Sequence, residues 1–468
     1  MIKILHTADW HIGQIFHGYN RTSEHKHFFQ WLLLKLKQEK IDLMLVAGDV
    51  FDISNPSGEA QKLYYNFLVQ VHTELPKLQV IIIAGNHDSS SKLEAPKELL
   101  DTFNTIVVGS VKKVNTEKNK TSSYNKDNMS VCSQTDELDF NKTDNSDSIK
   151  TNNTISSSKN REIKLVDMII PIHIAHGEDC ICLALPYIRQ GDYPYGLSYT
   201  EGIKELYRRL ILKAQELYPS ISNIIAMGHF YAAGSEIAKE GHSERLSIGG
   251  LDCVNLSDFS STRNLKYMAL GHIHKAQRIA QNDNIRYSGS ALSMSFSEIH
   301  YKHGVNIVSI ENGISHTERL IYEPLVKLIA IPKEYKPIED VLKEIQKLPE
   351  AMTMDNSNNN TDKINNIYSE NNDPFLEVRV LTDGPQLDLS QKIREALETK
   401  AVRLCSIKSM NKYSNNTEFK SDITLKDLQN PQYIANEYWK QKHDNNDMPE
   451  DLMEMFLKVS NDVITNKI

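Results

Sequence analysis

Five short clusters of aspartate, asparagine and histidine recur along this chain at spacings that suit metal binding. They are Asp9-Trp10-His11, Gly48-Asp49, Gly85-Asn86-His87-Asp88, Gly228-His229 and Gly271-His272-Ile273-His274. A site that combines carboxylate, amide and imidazole ligands suits Mn, Fe or Zn better than it suits Ca or Mg, which favour all-oxygen sites. The clusters therefore predict a transition-metal centre.

The number of these groups predicts two ions that share one carboxylate. Asp9 and His11 are two residues apart, so in an extended chain both side chains point the same way, and His272 and His274 repeat this spacing. Asp49 carries two carboxylate oxygens and is the natural bridge. Two ions about 3.5–4 Å apart suit phosphoester cleavage. The predicted ligands are Asp9, His11, Asp49 and His274 for one ion, and Asp49, Asn86, His229 and His272 for the other.

His87 adjoins the candidate ligand Asn86 but is not needed to complete either set. We predict that it protonates the leaving oxygen as a general acid. Each cluster alone has an ordinary interpretation, because Gly-His can end any strand and Gly-Asn-His-Asp can form a turn. The occurrence of all five clusters favours a catalytic site. Among the other histidines, we predict packing or surface roles for His6, His173 and His176, and exposure to solvent for His17, His25, His27 and His242.

Apolar runs before the clusters predict the strands that position them, since side chains at strand exits can converge on one edge of a sheet. Helices predicted at residues 24–40 and 59–72 alternate with the first three strands, which is typical of parallel βαβ units. The five predicted strands cover residues 2–5, 43–47, 80–84, 224–227 and 267–270. Further predicted elements are strands at 162–174 and 180–187, a helix at 201–217 and a hairpin region at 285–288 and 305–310.

Composition divides the chain of 468 residues into three parts. The first, residues 1–322, contains a stretch at 111–160 rich in Asn, Ser, Thr, Lys and Asp, which we predict to be a disordered insert. The second, residues 323–410, alternates strands and helices as a small α/β domain with a polar insert at 355–372. The third, residues 411–468, is a polar linker and two helices that begin near Pro431 and Pro449.

The net charge and the cysteines indicate what the protein binds and in which compartment it works. A formal charge of −8 is unusual for a stand-alone nucleic-acid binder and suggests that any DNA affinity is shared with a partner. Five scattered cysteines indicate a reducing cytoplasm, and Cys180 and Cys182 are interpreted as one face of a buried strand rather than as metal ligands. We expect no membrane span and no secretory signal, because no long apolar run is present and the N-terminus enters a strand at once.

Longer stretches around the clusters resemble the SbcD nuclease subunits of the calcineurin-like metallophosphoesterase superfamily. They are HTADWHIGQ at residues 6–14, AGDVFD at 47–52, ALPYIR at 184–189 and RYSGS at 286–290. The resemblance covers nearly the whole chain apart from the two polar inserts. It implies an α/β (α+β) fold, in which a two-layered β-sandwich flanked by helices precedes a small DNA-capping domain and a C-terminal helical pair.

The resemblance also implies an activity, a cofactor and a partner. The activity is ATP-dependent double-strand exonuclease and single-strand endonuclease cleavage of DNA with Mn²⁺, in repair, recombination, replication and hairpin processing. The partner is an SbcC-type coiled-coil ATPase, with two copies of each subunit. The seven candidate ligands match the family positions, and His87 matches the catalytic histidine. Archaeal and eukaryotic relatives have a second histidine where this chain has Asp52, to which we assign no catalytic role.

Two other functions remain open at this point. One is a phosphoesterase that acts on a small nucleotide or a phosphoprotein, although such a substrate needs neither a capping domain nor C-terminal helices. The other is a scaffold that holds the ATPase on DNA, with cleavage as a secondary role. For the C-terminal helices, docking on the base of the ATPase coiled coil is favoured over a hairpin that closes the capping domain.

Overall fold

A computed structural model of the chain describes residues 1–115, 161–174, 177–236, 253–256, 264–351, 372–384, 386, 388–412, 431–443 and 446–465. His176, His242, residues 116–160 and residues 355–371 of the predicted inserts lie outside the described residues. The chain divides into two compact units, Met1–Val380 with Leu387–Ser409, and Leu381–Gln386 with Met410–Ile468. Within the described ranges, no helix has the length and apolar character needed to cross a membrane.

Strands and helices alternate through most of the chain. The strands are β1 (Ile2–Thr7), β2 (Ile15–Phe16), β3 (Tyr19–Asn20), β4 (Leu43–Ala47), β5 (Gln79–Ile83), β6 (Thr105–Val108), β7 (Lys113–Asn115), β8 (Arg161–Ile163), β9 (Ile169–Ile172), β10 (Cys180–Ala184), β11 (Asn223–His229), β12 (Leu265–Gly271), β13 (Gln277–Ile279), β14 (Asn282–Tyr287), β15 (Gly304–Glu311), β16 (Ile314–Ile321), β17 (Leu328–Lys336), β18 (Phe375–Thr382) and β19 (Arg403–Asn411). The α-helices are α1 (Thr22–Gln38), α2 (Gly58–Glu74), α3 (Ser90–Glu94), α4 (Lys97–Asp101), α5 (Tyr199–Leu217), α6 (Ile338–Gln346), α7 (Leu389–Leu397), α8 (Pro431–Lys442) and α9 (Glu450–Thr465).

Two six-stranded sheets pack face to face. The first has the order β16-β15-β1-β4-β5-β6 and the second the order β13-β14-β12-β11-β10-β9. Ile4 and Leu45 of the first sheet share a buried core with Ile181 of the second. On the opposite face of the first sheet, Val46 packs with Phe28 of α1 and other apolar side chains of α1 and α2. The predicted two-layered sandwich flanked by helices is confirmed.

The predicted hairpin at 285–288 and 305–310 is wrong. β14 lies in the second sheet and runs parallel to β12, with Ile285 opposite Met268. β15 lies in the first sheet, antiparallel to β1, and its hairpin partner is β16, which the sequence pattern did not predict. Residues 288–303 therefore cross from one sheet to the other, which a local pattern of apolar residues does not reveal.

The first predicted insert begins later than expected. Val111 is buried, and β7 pairs antiparallel with β8, with Val114 opposite Glu162. This pairing places Asn115 opposite Arg161, the two residues that flank residues 116–160. The predicted strand at 162–174 is divided into β8, a short 3-10 helix at Leu165–Met168 and β9.

A three-stranded sheet, β17-β18-β19, forms its own small core with α6 and α7. Val341 and Ile345 of α6 and Ile393 of α7 pack there on Val378 of β18. Most of this sheet belongs to the first unit. Phe375 at the start of β18 is buried with Phe16 and Phe296.

The second unit contains the helical pair. Both helices begin at the predicted positions, α8 at Pro431 and α9 at Glu450. Residues just before α9 contact α8, because the Asn436 side chain accepts from the Met448 N–H at 2.8 Å and donates to Asp447 at 2.7 Å.

Candidate metal centre

The candidate ligands of both sheets meet where their strands end. Asp9 follows β1, Asp49 follows β4 and Asn86 follows β5 in the first sheet, while His229 ends β11 and His272 follows β12 in the second. Carboxyl ends of parallel strands lie at the same edge of a sheet, which is why distant segments converge here. Asn86 is half-buried, and the other six candidate ligands are no more than 6% exposed.

Four of these residues have left-handed backbones. The φ angles are 52° at Asp9, 47° at His11, 48° at Asp49 and 99° at His272. Such conformations cost about 1–3 kcal/mol each and persist where the surroundings hold them. Backbone hydrogen bonds hold two of these residues in place. The Asp9 N–H donates to the Gly48 carbonyl at 3.0 Å, and the His11 N–H donates to the Asp49 carbonyl at 3.0 Å. The first two loops thus position their ligands together.

Glycine is required where these loops approach other candidate ligands. Gly48 has a φ of 88°, and a Cβ there would collide with the His229 ring. A Cβ on Gly85 would collide with the Asp49 carboxylate. The glycines before Asp49 and Asn86 therefore provide space as well as backbone freedom.

One group of candidate ligands consists of Asp9, His11 and His274, whose ligand atoms all lie within 4.8 Å of one another. The His272 N–H donates to the Asp9 carboxylate at 2.9 Å and fixes its orientation. Both ring nitrogens of His11 are buried and make no well-formed hydrogen bond among the described residues. Buried polar atoms normally have partners, so this imidazole fits a cation ligand.

A second group consists of Asp49, His229 and His272. His229 donates from Nδ1 to the Ala47 carbonyl at 2.8 Å, so its Nε2 faces the site. The Asn86 Oδ1 lies 3.0 Å from this Nε2 and 2.8 Å from Nδ1 of His272. One carboxylate, one amide oxygen and two imidazoles therefore converge, and this donor set suits a divalent ion.

Asp49 lies between the two groups. Its Oδ2 is 3.3 Å from His229 Nε2 and 3.7 Å from His11 Nε2, while its Oδ1 accepts from the His87 N–H at 2.8 Å. Although burial opposes both shifts, the charges lower the pKa of Asp49 and raise the pKa of His229 to about 9. Burial raises the pKa of Asp9. These paired shifts show how strongly the site concentrates charge.

His87 lies at the edge of this site. Its ring centroid is 4.8 Å from that of His11, and its Nδ1 donates to the Asp52 carbonyl at 2.6 Å. This bond fixes the ring and turns Nε2 to the opposite side. His11, Asp52 and His87 also form a third compact group, so His87 is close enough to act either as an acid or as a ligand.

Two acidic residues support the site without having been assigned a role from sequence. Asp88 accepts from the N–H groups of Val50, Phe51 and Gly85 at 3.1, 3.0 and 2.9 Å, and so joins the loops after β4 and β5. Burial raises its pKa to about 6, with a contribution from Asp49. Glu298 lies 3.1 Å from Nδ1 of His274. Asp88 has a sequence signal in its Gly-Asn-His-Asp cluster, whereas Glu298 has none.

Five other described histidines had predicted roles, and two of them, His25 and His27, are less exposed than predicted. His6 is buried against Tyr267, and burial lowers its pKa to about 3, while His17 and His173 are exposed. The predicted exposure of His25 is wrong. It is fully buried on the inner face of α1, within 2.8 Å of the Trp10 carbonyl, and burial lowers its pKa to about 4. His27 is half-buried and pairs with Tyr322 at 2.7 Å.

Cys180 and Cys182 are buried in β10, as predicted. The described cysteines, which also include Cys253 and Cys405, form no disulfide.

Comparison with known proteins agrees with this geometry. A family model described as calcineurin-like phosphoesterase matches residues 2–276, which include every candidate site residue, and a model described as type 5 capsule protein repressor C-terminal domain matches residues 324–443. A Rhodobacter capsulatus protein named as the SbcD component of the SbcCD nuclease is 28% identical over 419 residues, 87% of each chain. A protein of the same name from Escherichia coli is 26% identical over 71% of each chain. One from Bacillus subtilis is 28% identical over 70% of this chain and 72% of its own.

Proposed function

This chain belongs to the calcineurin-like phosphoesterase family, and we propose that it is the nuclease subunit of an SbcCD-type complex that hydrolyses DNA phosphodiester bonds. The observation that carries the proposal is the position of Asp49 between two groups of buried ligands. A shared carboxylate between two ion positions is the arrangement that suits phosphoester cleavage.

The family implies divalent metal ions, and we propose two of them, with Mn²⁺ as the active ion. Asp9, His11 and His274 would hold one, Asn86, His229 and His272 the other, and Asp49 both. When bound, such ions neutralise phosphate oxygens and activate the nucleophile.

The chain's own contribution to proton transfer is His87. Its ring is oriented by the Asp52 carbonyl, and its backbone N–H donates to Asp49. We propose that it gives a proton from Nε2 to the leaving sugar oxygen. Asp52 then orients His87 through its backbone carbonyl.

DNA is favoured as the substrate over a small phosphoester. The chain continues past the phosphoesterase match into a separate three-stranded sheet and a helical pair, and a small substrate would need neither. A formal charge of −8 indicates that DNA is held with help from another subunit.

That subunit is proposed to be an SbcC-type ATPase, which would make duplex cleavage depend on ATP. The helical pair α8 and α9 is the proposed contact. Short helices are marginal alone in water, and Tyr438 and Met455 on this pair are 60% and 63% exposed. A helix pair with exposed large side chains fits docking on a coiled coil. By the resemblance, we propose two copies of each subunit.

The test compares three substrates with and without the ATPase: linear duplex DNA, short single-stranded DNA and p-nitrophenyl phosphates. We expect Mn²⁺-dependent cleavage of single strands by the chain alone, and ATP-dependent cleavage of duplex by the complex. Asp49→Ala should abolish both, whereas Asp179→Ala, a matched change at an exposed aspartate, should abolish neither.

Two outcomes would support a different function. Hydrolysis of p-nitrophenyl phosphates without DNA cleavage would support a small-substrate phosphoesterase. Tight DNA and ATPase binding without cleavage in Mn²⁺ would support a scaffold.

A further inference from the structure

His274 is backed by a buried carboxylate. Its Nδ1 lies 3.1 Å from Oε1 of Glu298, and both side chains are almost fully buried. The second oxygen of Glu298 accepts from the Met294 N–H at 2.8 Å. The carboxylate is therefore held in one orientation, with its charge directed at the side of the ring opposite Nε2.

His11 also has a carboxylate beside its Nδ1, although this carboxylate is partly exposed and the contact is not a well-formed hydrogen bond. Its Nδ1 faces Oδ1 of Asp52 at 3.3 Å, and its Nε2 faces Oδ2 of Asp49 at 3.7 Å. The ring thus lies between two carboxylates, one within the proposed centre and one behind it.

In the other group, the nitrogen of His229 that points away from the centre has a neutral partner, whereas its Nε2 faces the shared Asp49. Nδ1 of His229 donates to the Ala47 carbonyl at 2.8 Å. Nδ1 of His272 faces into the centre, where it lies 2.8 Å from the amide oxygen of the candidate ligand Asn86. This group has the neutral Asn86 where the first group has the acidic Asp9. Its negative charge therefore comes from the shared Asp49.

The two halves of the centre therefore differ in charge. A carboxylate behind an imidazole fixes its tautomer, raises its basicity as a ligand, and typically changes metal affinity by about 10–100-fold. Resting on the proposed two-ion function, we infer that the two positions fill unequally. The position of Asp9, His11 and His274 binds its ion first and more tightly, and Glu298 and Asp52 are the positioning residues that make it so.

The experiment is a titration of the EDTA-treated full-length chain with Mn²⁺, followed by calorimetry and by the EPR signal of free Mn²⁺. Wild type should show two affinity classes. Glu298→Gln and Asp52→Asn should each weaken the tighter class by about 10–100-fold and leave the weaker class nearly unchanged. His272→Ala should remove the weaker class and retain the tighter one.

Glu377→Gln is the matched control, because Glu377 is an equally buried glutamate that pairs with Arg379 and Lys408 in the small sheet. It should alter neither class. Asp52, whose side chain is 28% exposed, provides a second variant if Glu298→Gln does not fold.

Equal affinities in wild type, or a loss confined to the weaker class in Glu298→Gln, would overturn the inference. A chain that binds two Mn²⁺ ions equally but cleaves DNA would leave the proposed function standing. A chain that binds none would instead refute the metal centre itself.

Discussion

Oδ2 of Asp49 lies 3.3 Å from Nε2 of His229, although Asp49 follows β4 of the first sheet and His229 ends β11 of the second. The contact joins the two layers of the sandwich at the point where the proposed ions would share a ligand. Removing the Asp49 carboxylate should therefore disturb both ion positions, whereas removing an imidazole of one group should disturb mainly that position.

The first prediction is that Asp49→Ala loses or scrambles both ions, while His274→Ala loses mainly one. Elemental analysis of the dialysed proteins measures the metal content directly. Full double occupancy in the Asp49→Ala protein would show that this carboxylate is not the bridge.

The second prediction concerns His87. His87→Ala should keep metal and DNA binding but lower turnover, since general acid catalysis is worth about 10²–10⁴-fold. The measurements are metal content, DNA affinity and single-turnover cleavage. His173→Ala, at an exposed histidine paired with Asp179, is the control and should cleave normally. Loss of metal from His87→Ala would identify His87 as a ligand, which its closeness to His11 and Asp52 allows.

The strands before the ligands could be located from the sequence because each combines a buried apolar run with a polar residue at its end. Leu43–Ala47 was predicted at its observed bounds, and Asp49 follows it as expected. The same local reasoning could not assign β14 and β15 to different sheets, because sheet membership depends on contacts distant in sequence.

The site residues also fall into those that a local sequence pattern identifies and those that only a contact distant in sequence identifies. Asp9 and His274 lie in recognisable clusters, whereas Glu298 comes from the crossing segment and has only its contact with His274 to identify it. His25 was misjudged because a histidine on a helix gives no local sign of burial.

The third prediction is acid sensitivity of folding through His303. This buried ring donates from Nδ1 to the Ser290 carbonyl at 3.0 Å and accepts from the Ser293 hydroxyl at 2.8 Å, which suits its neutral form. Burial lowers its pKa from 6.5 to about 4. Between these values the unfolded chain binds a proton that the folded chain does not. The free energy of unfolding is therefore unaffected above pH 6.5 and falls as the pH drops toward 4.

Urea unfolding at pH 7.5 and pH 5 in EDTA measures this effect. We expect His303→Asn to lose less stability than wild type over this interval, by about 2 kcal/mol. An equal loss in both proteins would mean that His303 does not carry the proton.

The fourth prediction is that removal of the first insert has little effect. The pairing of β7 with β8 places the cut after Asn115, the last residue of β7. Replacing residues 116–160 with Asn-Gly should close β7 and β8 as a hairpin, and long surface insertions cost little loop entropy. Melting temperature and cleavage rate should stay close to wild type. A large fall in either would assign this segment a role in folding or catalysis.

The last prediction concerns the tether to the ATPase. Truncation after Asn411 retains β19 and the proposed metal centre but removes the linker and the helical pair α8 and α9. We expect the truncated chain to lose co-purification with an SbcC-type ATPase while it keeps Mn²⁺-dependent cleavage of short single strands. The cleavage assay is the control for folding, because only a correctly formed site can give it. If the truncated chain still co-purifies at full stoichiometry, the main contact lies within residues 1–411 and the helical pair has another role.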